Sequence, residues 1–447
     1  MQLLEETKSL CPICMQIVPA HIYTDGVRVF MQKKCPEHGI SQGLIWSDYQ
    51  LYQRSFRFNR KITKPAEWAT SVLRGCPYDC GLCPEHKQHT CLAILEVTDK
   101  CNLNCPICLA SSPKMSEDPE IEQIEDALKK LLRYESRSTS IQLSGGEPTV
   151  RQDLADIINI AREVGFKSIE IDTNGIELAK KPELAKELAD AGLTGVYLQF
   201  DGLTADAQAP LRGSHIDLLT IKEKAIEKAK KAGLEVALAA TIVKGVNDNQ
   251  LWEIIRYAIK KDTKGVNFQP FAALGRFPSK LKDSMEKVTI PDVVKGIEMQ
   301  SGGQLKTEDF VPIPCPDNRC AVLTYTIIKK GKIMPINRIV DIEKIVDYYA
   351  EPADFGEVLK AAGEILCGIN KDNVSCCPAS MDLLKGQYFS IGCHGLQDVW
   401  NIDLNRVKKC CVHELTIEGK LVPFCLFNVT GQKGETLYRG RESKNLK

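Results

Sequence analysis

Cys101-Asn-Leu-Asn-Cys105-Pro-Ile-Cys108 sets three thiols on one short loop, with three and then two residues between them. Three thiolates so close can hold three corners of a cubane iron–sulfur cluster, which leaves the fourth iron without a protein ligand. An iron with an open position can chelate a small molecule through amino and carboxylate groups and pass it one electron. The competing reading is a zinc knuckle. A zinc site, however, brings further ligands from elsewhere to close a tetrahedron, so the residues downstream separate the two.

Those residues stand at the ends of predicted strands. Apolar runs at Ala93 to Val97, Ser140 to Leu143, Ser168 to Ile171, Gly195 to Phe200, Glu235 to Val243 and Gly265 to Phe271 alternate with amphipathic stretches. The latter are Ile121 to Leu132, Leu154 to Glu163, Pro182 to Ala191, Leu218 to Ala232 and Leu251 to Lys260. Strand–helix units repeating about every 30 residues predict an α/β fold with a parallel sheet covered by helices. Six units with their motifs at the C-terminal ends of the strands favour a partial (β/α)6 barrel over a doubly wound sheet. After the second strand comes Ser144-Gly145-Gly146-Glu147-Pro148. The glycines permit close backbone approach to a ligand, and the carboxylate can accept from an ammonium group. Asp172-Thr173-Asn174-Gly175, Gln199-Phe200-Asp201-Gly202, Thr241-Ile242-Val243 and Gln269-Pro270-Phe271 end the next four strands.

Other cysteines frame this core. Cys11-Pro-Ile-Cys14 and Cys35-Pro-Glu-His38 flank a predicted hairpin, Ile22 to Met31 with Asp25-Gly26 as its turn. Two ligand turns on a small sheet read as a zinc-ribbon or rubredoxin-like site for one tetrahedral iron or zinc ion. Residues 1–65 are too few for much of a core, so the ion would supply folding energy. Cys76, Cys80 and Cys83 repeat the three-and-two spacing, with Gly and Pro around them, in a loop at 66–91. No alternating strand precedes them, which favours an auxiliary cluster whose fourth ligand is Cys91, His86, His89, a distant residue or a substrate. The core spans 92–300. In the C-terminal part, 301–447, Cys315 and Cys320 with Cys410 and Cys425 make a four-thiolate set, Cys411 and His413 being substitutes. Cys367 and Cys393 read as buried hydrophobes, Cys376-Cys377 as a spare ligand pair, and Ser390 to Asp403 as a stretch facing substrate.

Composition bounds the rest. The chain has 447 residues, and its 58 basic side chains are matched by 58 acidic ones, so no polyanionic partner such as nucleic acid is expected. Nineteen cysteines behind an N-terminus without a signal-peptide pattern indicate a cytoplasmic, reduced and anaerobic protein whose thiols bind metal. No run of 18 apolar residues suggests a transmembrane span.

In this order the motifs resemble the radical SAM superfamily, enzymes that cleave S-adenosylmethionine (SAM) on a 4Fe–4S cluster. Over nearly its whole length the chain is similar to the group that includes tetraether lipid synthase and is associated with methylation of 7,8-dihydro-6-hydroxymethylpterin. The resemblance implies a SAM-binding cluster on Cys101, Cys105 and Cys108, two auxiliary clusters and one mononuclear metal. By the same resemblance Gly145, Gly146 and Glu147 take the SAM amino group. Thr173, Gln199 and Asp201 take its carboxylate and ribose, and Ile242 and Phe271 wall the adenine. Ile107 stands where the family often has an aromatic residue. The implied chemistry is a 5'-deoxyadenosyl radical that removes hydrogen from an unactivated carbon, fed by an external donor of the ferredoxin or flavodoxin type. Coupling of isoprenoid lipid tails, with peripheral membrane contact, is the first expectation. Radical methylation of a dihydropterin or other small molecule is the second, by a route without cobalamin, since no cobalamin-binding segment stands before the core. A non-catalytic electron carrier is disfavoured by Gly145-Gly146-Glu147.

Overall fold

Four N-terminal strands, β1 (Gln2–Leu10), β2 (Ile17–Thr24), β3 (Val29–Cys35) and β4 (Gly39–Trp46), pair in order as an antiparallel sheet in a computed structural model. The structure describes residues 1–58, 63–113, 117–135, 139–213, 217–281, 285–313, 316–341 and 387–439. The predicted hairpin is β2–β3: Asp25 Oδ1 accepts from Val27 N and Arg28 N at 3.0 and 2.6 Å, and Gly26 turns the chain at φ +94°. The ribbon is tied to residues far down the chain. Fully buried Lys33 donates to Leu10 O at 2.9 Å and to Val399 O. Thr7 donates to Asp403 at 2.6 Å, and Asn401 Nδ2 to Leu44 O at 3.0 Å. α1 (Tyr49–Ser55) follows, capped by Asp48, whose carboxylate accepts from Leu51 N.

The core is a run of parallel strands in chain order: β5 (Leu92–Thr98), β6 (Ser140–Gly145), β7 (Ile169–Thr173), β8 (Gly195–Gln199), β9 (Glu235–Ile242) and β10 (Gly265–Pro270). The helices between them include α2 (Ile121–Tyr134), α3 (Leu154–Val164), α4 (Ile176–Lys180), α5 (Leu184–Ala191), α6 (Ala205–Arg212), α7 (Leu218–Lys231) and α8 (Leu251–Lys260); α9 (Ile290–Gln300) follows β10. α4 and α6 have no counterpart among the predicted helices. Along each strand alternate side chains point to opposite faces. One set, such as Ala93, Leu95, Ile141, Leu143, Ile171, Leu198 and Phe268, is 0–1% exposed and packs against the helices. Full burial of one such large aliphatic side chain contributes about 1.5–3 kcal/mol. The other set is polar and only partly covered: Glu170 and Asp172 on β7, Tyr197 on β8, Asn267 and Gln269 on β10. These side chains line a hollow on the concave side.

The barrel is partial, as predicted. Instead of closing on each other, β5 and β10 are both extended by strands from 301–447. β14 (Gln387–His394) lies parallel to β10, with β12 (Ala321–Lys329) antiparallel beyond it; β11 (Val311–Pro312) and β13 (Lys332–Pro335) flank β12. At the opposite edge β15 (Val412–Leu415) lies parallel to β5 and leads into β16 (Leu421–Pro423). The stretch delimited in the sequence as a C-terminal domain therefore shares the core sheet. Among the described residues no helix is long and apolar enough to cross a membrane.

Gly43 on β4 marks a tight ribbon–body contact, since a Cβ there would lie 2.5 Å from the Trp400 carbonyl oxygen. Gly43→Ala is expected to destabilise the fold by about 1–3 kcal/mol, the usual cost of overpacking. A lowered unfolding midpoint in a thermal melt checks this.

Candidate active site and metal centres

Cys101, Cys105 and Cys108 follow β5 on a loop clamped from the far side of the barrel mouth. Cys108 and Arg276 exchange two backbone hydrogen bonds of 2.9 Å, and Arg276 Nε donates to Cys105 O at 2.9 Å. The three thiols lie within electrostatic reach of one another. That of Cys101 is pushed up to about 12, by burial first and then by Glu147, Cys105 and Cys108. Burial also raises Cys105, against the pull of the Arg212 guanidinium. Such a set suits a metal group, because binding iron replaces the thiol protons and relieves their mutual repulsion. Three clustered thiols match three corners of a cubane.

The glycines predicted to admit a ligand admit the cysteine loop. A Cβ on Gly145 would stand 2.2 Å from Thr98 O, and one on Gly146 2.1 Å from Lys100 O. Gly146 N donates to Thr98 O at 2.7 Å and Glu147 N to Lys100 O at 2.9 Å. Glu147, 1% exposed, turns its carboxylate into the protein. It accepts from Thr149 N at 3.1 Å, Thr173 Oγ1 at 2.6 Å and Asn174 N at 2.7 Å, and from Thr149 Oγ1. Glu147 and Thr173 thus brace the site, in contrast to the ligand contacts expected of their side chains.

Asp201 is likewise a brace. Fully buried, it accepts from Arg212 Nε at 2.6 Å and Arg212 Nη2 at 2.8 Å in a bidentate pair, and from Thr241 N at 2.9 Å. Gln199 Nε2 donates to the same carboxylate, while its Oε1 accepts from Lys222 Nζ at 2.9 Å. The groups these braces orient were missed in the sequence: Arg212 at the end of α6, beside Cys105, and Lys222 on α7, which also donates to Asn174 O. Asp172 was missed as well, although strand alternation from Thr173 assigns it to the hollow. Its carboxyl makes no hydrogen bond among the described residues. Burial pushes it up to about 7, Glu147 and Glu170 adding to the shift and Arg212 and Lys222 opposing it.

Of the two apolar candidates, Phe271 packs with Ile107, Leu211, Val243 and Ala273 in a small cluster at the barrel mouth. Ile242 does not join it. Its side chain, 0% exposed, lies in the main core on the helix side of β9, and Val243 takes the position expected of it.

Nine more of the described cysteines gather in three groups. Ligand atoms of Cys11, Cys14, Cys35 and His38 lie within 4.8 Å of one another, so the ribbon can hold one tetrahedral ion. Cys76, Cys80 and Cys83 line a small cavity with Glu85, His86 and Lys408. Asp79 shapes the loop by accepting from Leu73, Arg74 and Gly75 N at 2.5–2.7 Å. Of the alternatives for a fourth ligand, only His86 borders that cavity. Its Nε2 donates to Cys410 O at 2.8 Å, which leaves the Nδ1 lone pair for a metal. Cys91 and His89 contact each other, Sγ to Nε2, at 3.3 Å. Cys320, Cys410 and Cys425 form the third group: burial pushes Cys425 up to about 12, Cys320 adding to it, and Cys410 rises by burial and then by Cys425. Arg406 Nη2 donates to Cys320 Sγ at 3.2 Å. His413 turns away, toward Thr90 and His86. Cys315, Cys367, Cys376 and Cys377 lie outside the described residues; Cys393 is fully buried on β14, as predicted.

Comparison with known proteins fits this arrangement. Residues 95–258 match the radical SAM superfamily, and residues 3–47 match the HMPTM N-terminal zinc ribbon domain. The chain is 36% identical to the 7,8-dihydro-6-hydroxymethylpterin dimethyltransferase of Methanocaldococcus jannaschii, over 95% of this chain and 93% of that protein. It is 32% identical to a GTP 3',8-cyclase of Pseudomonas putida over 38% of this chain and 50% of that one. Among solved structures, Streptococcus suis SuiB bound to its precursor peptide SuiA overlaps 66% of this chain and 69% of that chain, at 12% identity and a TM-score of 0.40. The chain belongs to the radical SAM superfamily, in the group of the dihydropterin dimethyltransferase, and is an enzyme whose family implies a 4Fe–4S cluster and SAM.

Proposed function

We propose that this enzyme methylates a dihydropterin or a closely similar heterocycle by radical SAM chemistry. The observation that carries this reading is the polarity of the sheet face opposite the helices, where Glu170, Asp172, Tyr197, Asn267, Gln269 and His394 are only partly covered. A flat heterocycle with several hydrogen-bonding atoms can satisfy such groups. Isoprenoid tails, the substrate first expected, would strip water from them and return no hydrogen bond, at roughly 1–3 kcal/mol for each group by protein mutational data. The relative matched over nearly the full chain is a dihydropterin dimethyltransferase, which supports the same choice.

A 4Fe–4S cluster on Cys101, Cys105 and Cys108 supplies the electron and the open iron for reductive cleavage of SAM. The chain's own residues do the positioning. Arg212, fixed by Asp201, offers a guanidinium to the SAM carboxylate, and Asp172 offers an acceptor to its ammonium. Phe271, Ile107 and Val243 cover the adenine from water. Around the hollow, Cys76, Cys80 and Cys83 with His86 hold one auxiliary cluster. Cys320, Cys410 and Cys425, with Cys315 as fourth ligand, hold a second, and the ribbon holds one iron or zinc. Electrons arrive from a small external carrier of the ferredoxin or flavodoxin type.

Anaerobic reconstitution with iron, sulfide, reductant and SAM tests the function. With 7,8-dihydro-6-hydroxymethylpterin and excess SAM we expect 5'-deoxyadenosine and methionine from one SAM, S-adenosylhomocysteine from a second SAM that gives up its methyl group, and a product heavier by one or two methylene units in mass spectrometry. Consumption of isoprenoid lipid with the pterin untouched would reverse the assignment. Cys105→Ala is expected to abolish SAM cleavage, and Cys14→Ala to remove one metal ion per chain and lower the yield of folded protein. Asp172→Asn is expected to weaken SAM binding about 10- to 100-fold, the loss of a buried charge-assisted hydrogen bond. The same substitution has the opposite effect on the free protein. The folded carboxyl titrates near 7 and an ordinary one near 3.8, so stability falls as pH rises between those values and stays reduced above them. Without SAM, the variant is expected to unfold at a higher temperature than wild type at pH 8, the gap closing toward pH 4.

A further inference from the structure

Three side chains on one flank of the hollow share a hydrogen-bond network whose unsatisfied atoms form a pattern. The Tyr197 oxygen accepts from Asn267 Nδ2 and, at 3.1 Å, from Gln269 Nε2. With both acceptor positions taken, the phenolic proton has to point elsewhere, and no acceptor for it occurs among the described residues. Asn267 Oδ1 accepts from His394 Nδ1 at 2.6 Å. That bond fixes the tautomer and leaves His394 Nε2 with a lone pair. Gln269, whose amide nitrogen is engaged by Tyr197, keeps its Oε1 free. Burial pulls the His394 ring down to about 4, so it is neutral near pH 7, and it raises Tyr197, so the phenol keeps its proton.

The three free atoms come from neighbouring strands. Sheet order is β8, β9, β10, β14, and on β9 the intervening inward residues are Ala237 and Ala239, small enough for Tyr197 to reach over to β10. β10 and β14 run parallel with Phe268 opposite Cys393, so His394 lies level with Gln269. Read across the sheet, the hollow offers a donor from Tyr197, an acceptor from Gln269 and an acceptor from His394. Tyr197 lies two residues below Gln199 on β8, about 6.6 Å along the strand, level with Asp172 on β7 at one side and with Ala237 on β9 at the other.

We infer that Tyr197, Gln269 and His394 form a donor–acceptor–acceptor array that binds the 2-amino-4-oxopyrimidine edge of the substrate. That edge presents the complementary series: the 4-oxo oxygen accepts from Tyr197, the N3 proton goes to Gln269 Oε1 and the 2-amino group to His394 Nε2. Asn267 positions two of the three without touching the ligand. Hydrocarbon offers none of these groups, so the array deepens the dihydropterin reading and rests on it for the identity of the bicycle. The edge itself is shared by guanine.

Equilibrium binding to the anaerobically reconstituted full chain, followed by calorimetry, tests the array with three probes. These are 7,8-dihydro-6-hydroxymethylpterin, GTP, and the analogue of the dihydropterin with oxygen in place of the 2-amino group. Wild type is expected to bind the dihydropterin at least tenfold more tightly than the 2-oxo analogue. Tyr197→Phe and Gln269→Leu are expected to weaken dihydropterin binding about 10- to 100-fold, the range for losing a partner to a buried polar group. His394→Leu is expected to bring the preference over the 2-oxo analogue close to one, a change that a merely structural role would not produce. Variants enter the comparison only with wild-type cluster content and unfolding midpoint. Unchanged affinity and preference in all three variants overturn the array while leaving the dihydropterin function standing. Tight binding of GTP with none of the dihydropterin, lost in the same variants, supports the array and overturns the dihydropterin function. Tight wild-type binding of the 2-oxo analogue, equal to that of the dihydropterin, overturns the array.

Discussion

The carboxylate of Glu147 sits where three segments of the site meet, and each depends on it. Its backbone nitrogen donates to the Lys100 carbonyl at the root of the cysteine loop, and its oxygens accept from Thr149 in its own turn and from Thr173 and Asn174 at the end of β7. A buried carboxylate is tolerated because donors surround it. The same donors fix the relative positions of the cysteine loop, the glycine turn and β7. Gly145 and Gly146 make this possible by a steric route: any Cβ at either position would overlap the backbone of 98–100, where carbonyl oxygens lie 2.2 and 2.1 Å away. The Gly-Gly-Glu signature is thus a structural knot, and the ligand meets what the knot holds in place.

That distinction governs what was legible in the sequence. The gathering of Cys11, Cys14, Cys35 and His38 was legible in their spacing, because the local chain brings Cys11 and Cys14, or Cys35 and His38, together without help from the rest of the fold. The strand–helix alternation was legible for a similar reason, since burying one face of each strand demands an apolar residue at every second position. Side-chain roles at the strand ends were less so. Thr173 and Asp201 have chemistry suited to a ligand, but their partners are Glu147 and Arg212, brought in from other units of the barrel. Whether a hydroxyl or carboxylate faces a ligand or a neighbour depends on who else arrives, which a single motif does not encode. Ile242 illustrates the geometric version: one step along a strand reverses the face, so Val243 takes the place expected of Ile242.

The C-terminal strands show the same limit at longer range. β14 and β15 lie on opposite edges of the core, more than a hundred residues downstream of the strands they pair with, and nothing local in Gln387–His394 or Val412–Leu415 names β10 or β5 as partner. Their placement has a functional result. By covering both edges they keep the partial barrel from presenting open strand edges. They also bring Cys320, Cys410 and Cys425 to the rim of the barrel, with the Cys76–Cys83 loop joined to them through the hydrogen bond from His86 to Cys410. The ribbon is fixed to the same rim by Lys33, whose amine has exchanged water for the carbonyls of Leu10 and Val399. Cysteine groups far apart in the chain are therefore anchored to one body.

Enclosure of this kind matters for a reaction that exposes a reactive carbon radical, because water or a stray hydrogen donor would quench it. An enclosed hollow raises a second requirement, since every polar group left inside without a partner costs free energy. Here the groups are not scattered. The bonds of Arg212 to Asp201, Thr241 and Ile107, those of Glu147 and the network of Asn267 each satisfy their own members and leave a few atoms free: the carboxyl of Asp172 and the outward atoms of Tyr197, Gln269 and His394. Asp172 and Tyr197 are level neighbours on β7 and β8, so the free atoms run as one continuous series across the sheet from β7 to β14. The charge at its β7 end suits the ammonium of an amino acid, and the neutral atoms beyond it suit a heterocycle. Each of these atoms left without a partner costs free energy, so groups that complement the charged end and the neutral atoms together would return the hydrogen bonds that the empty interior lacks.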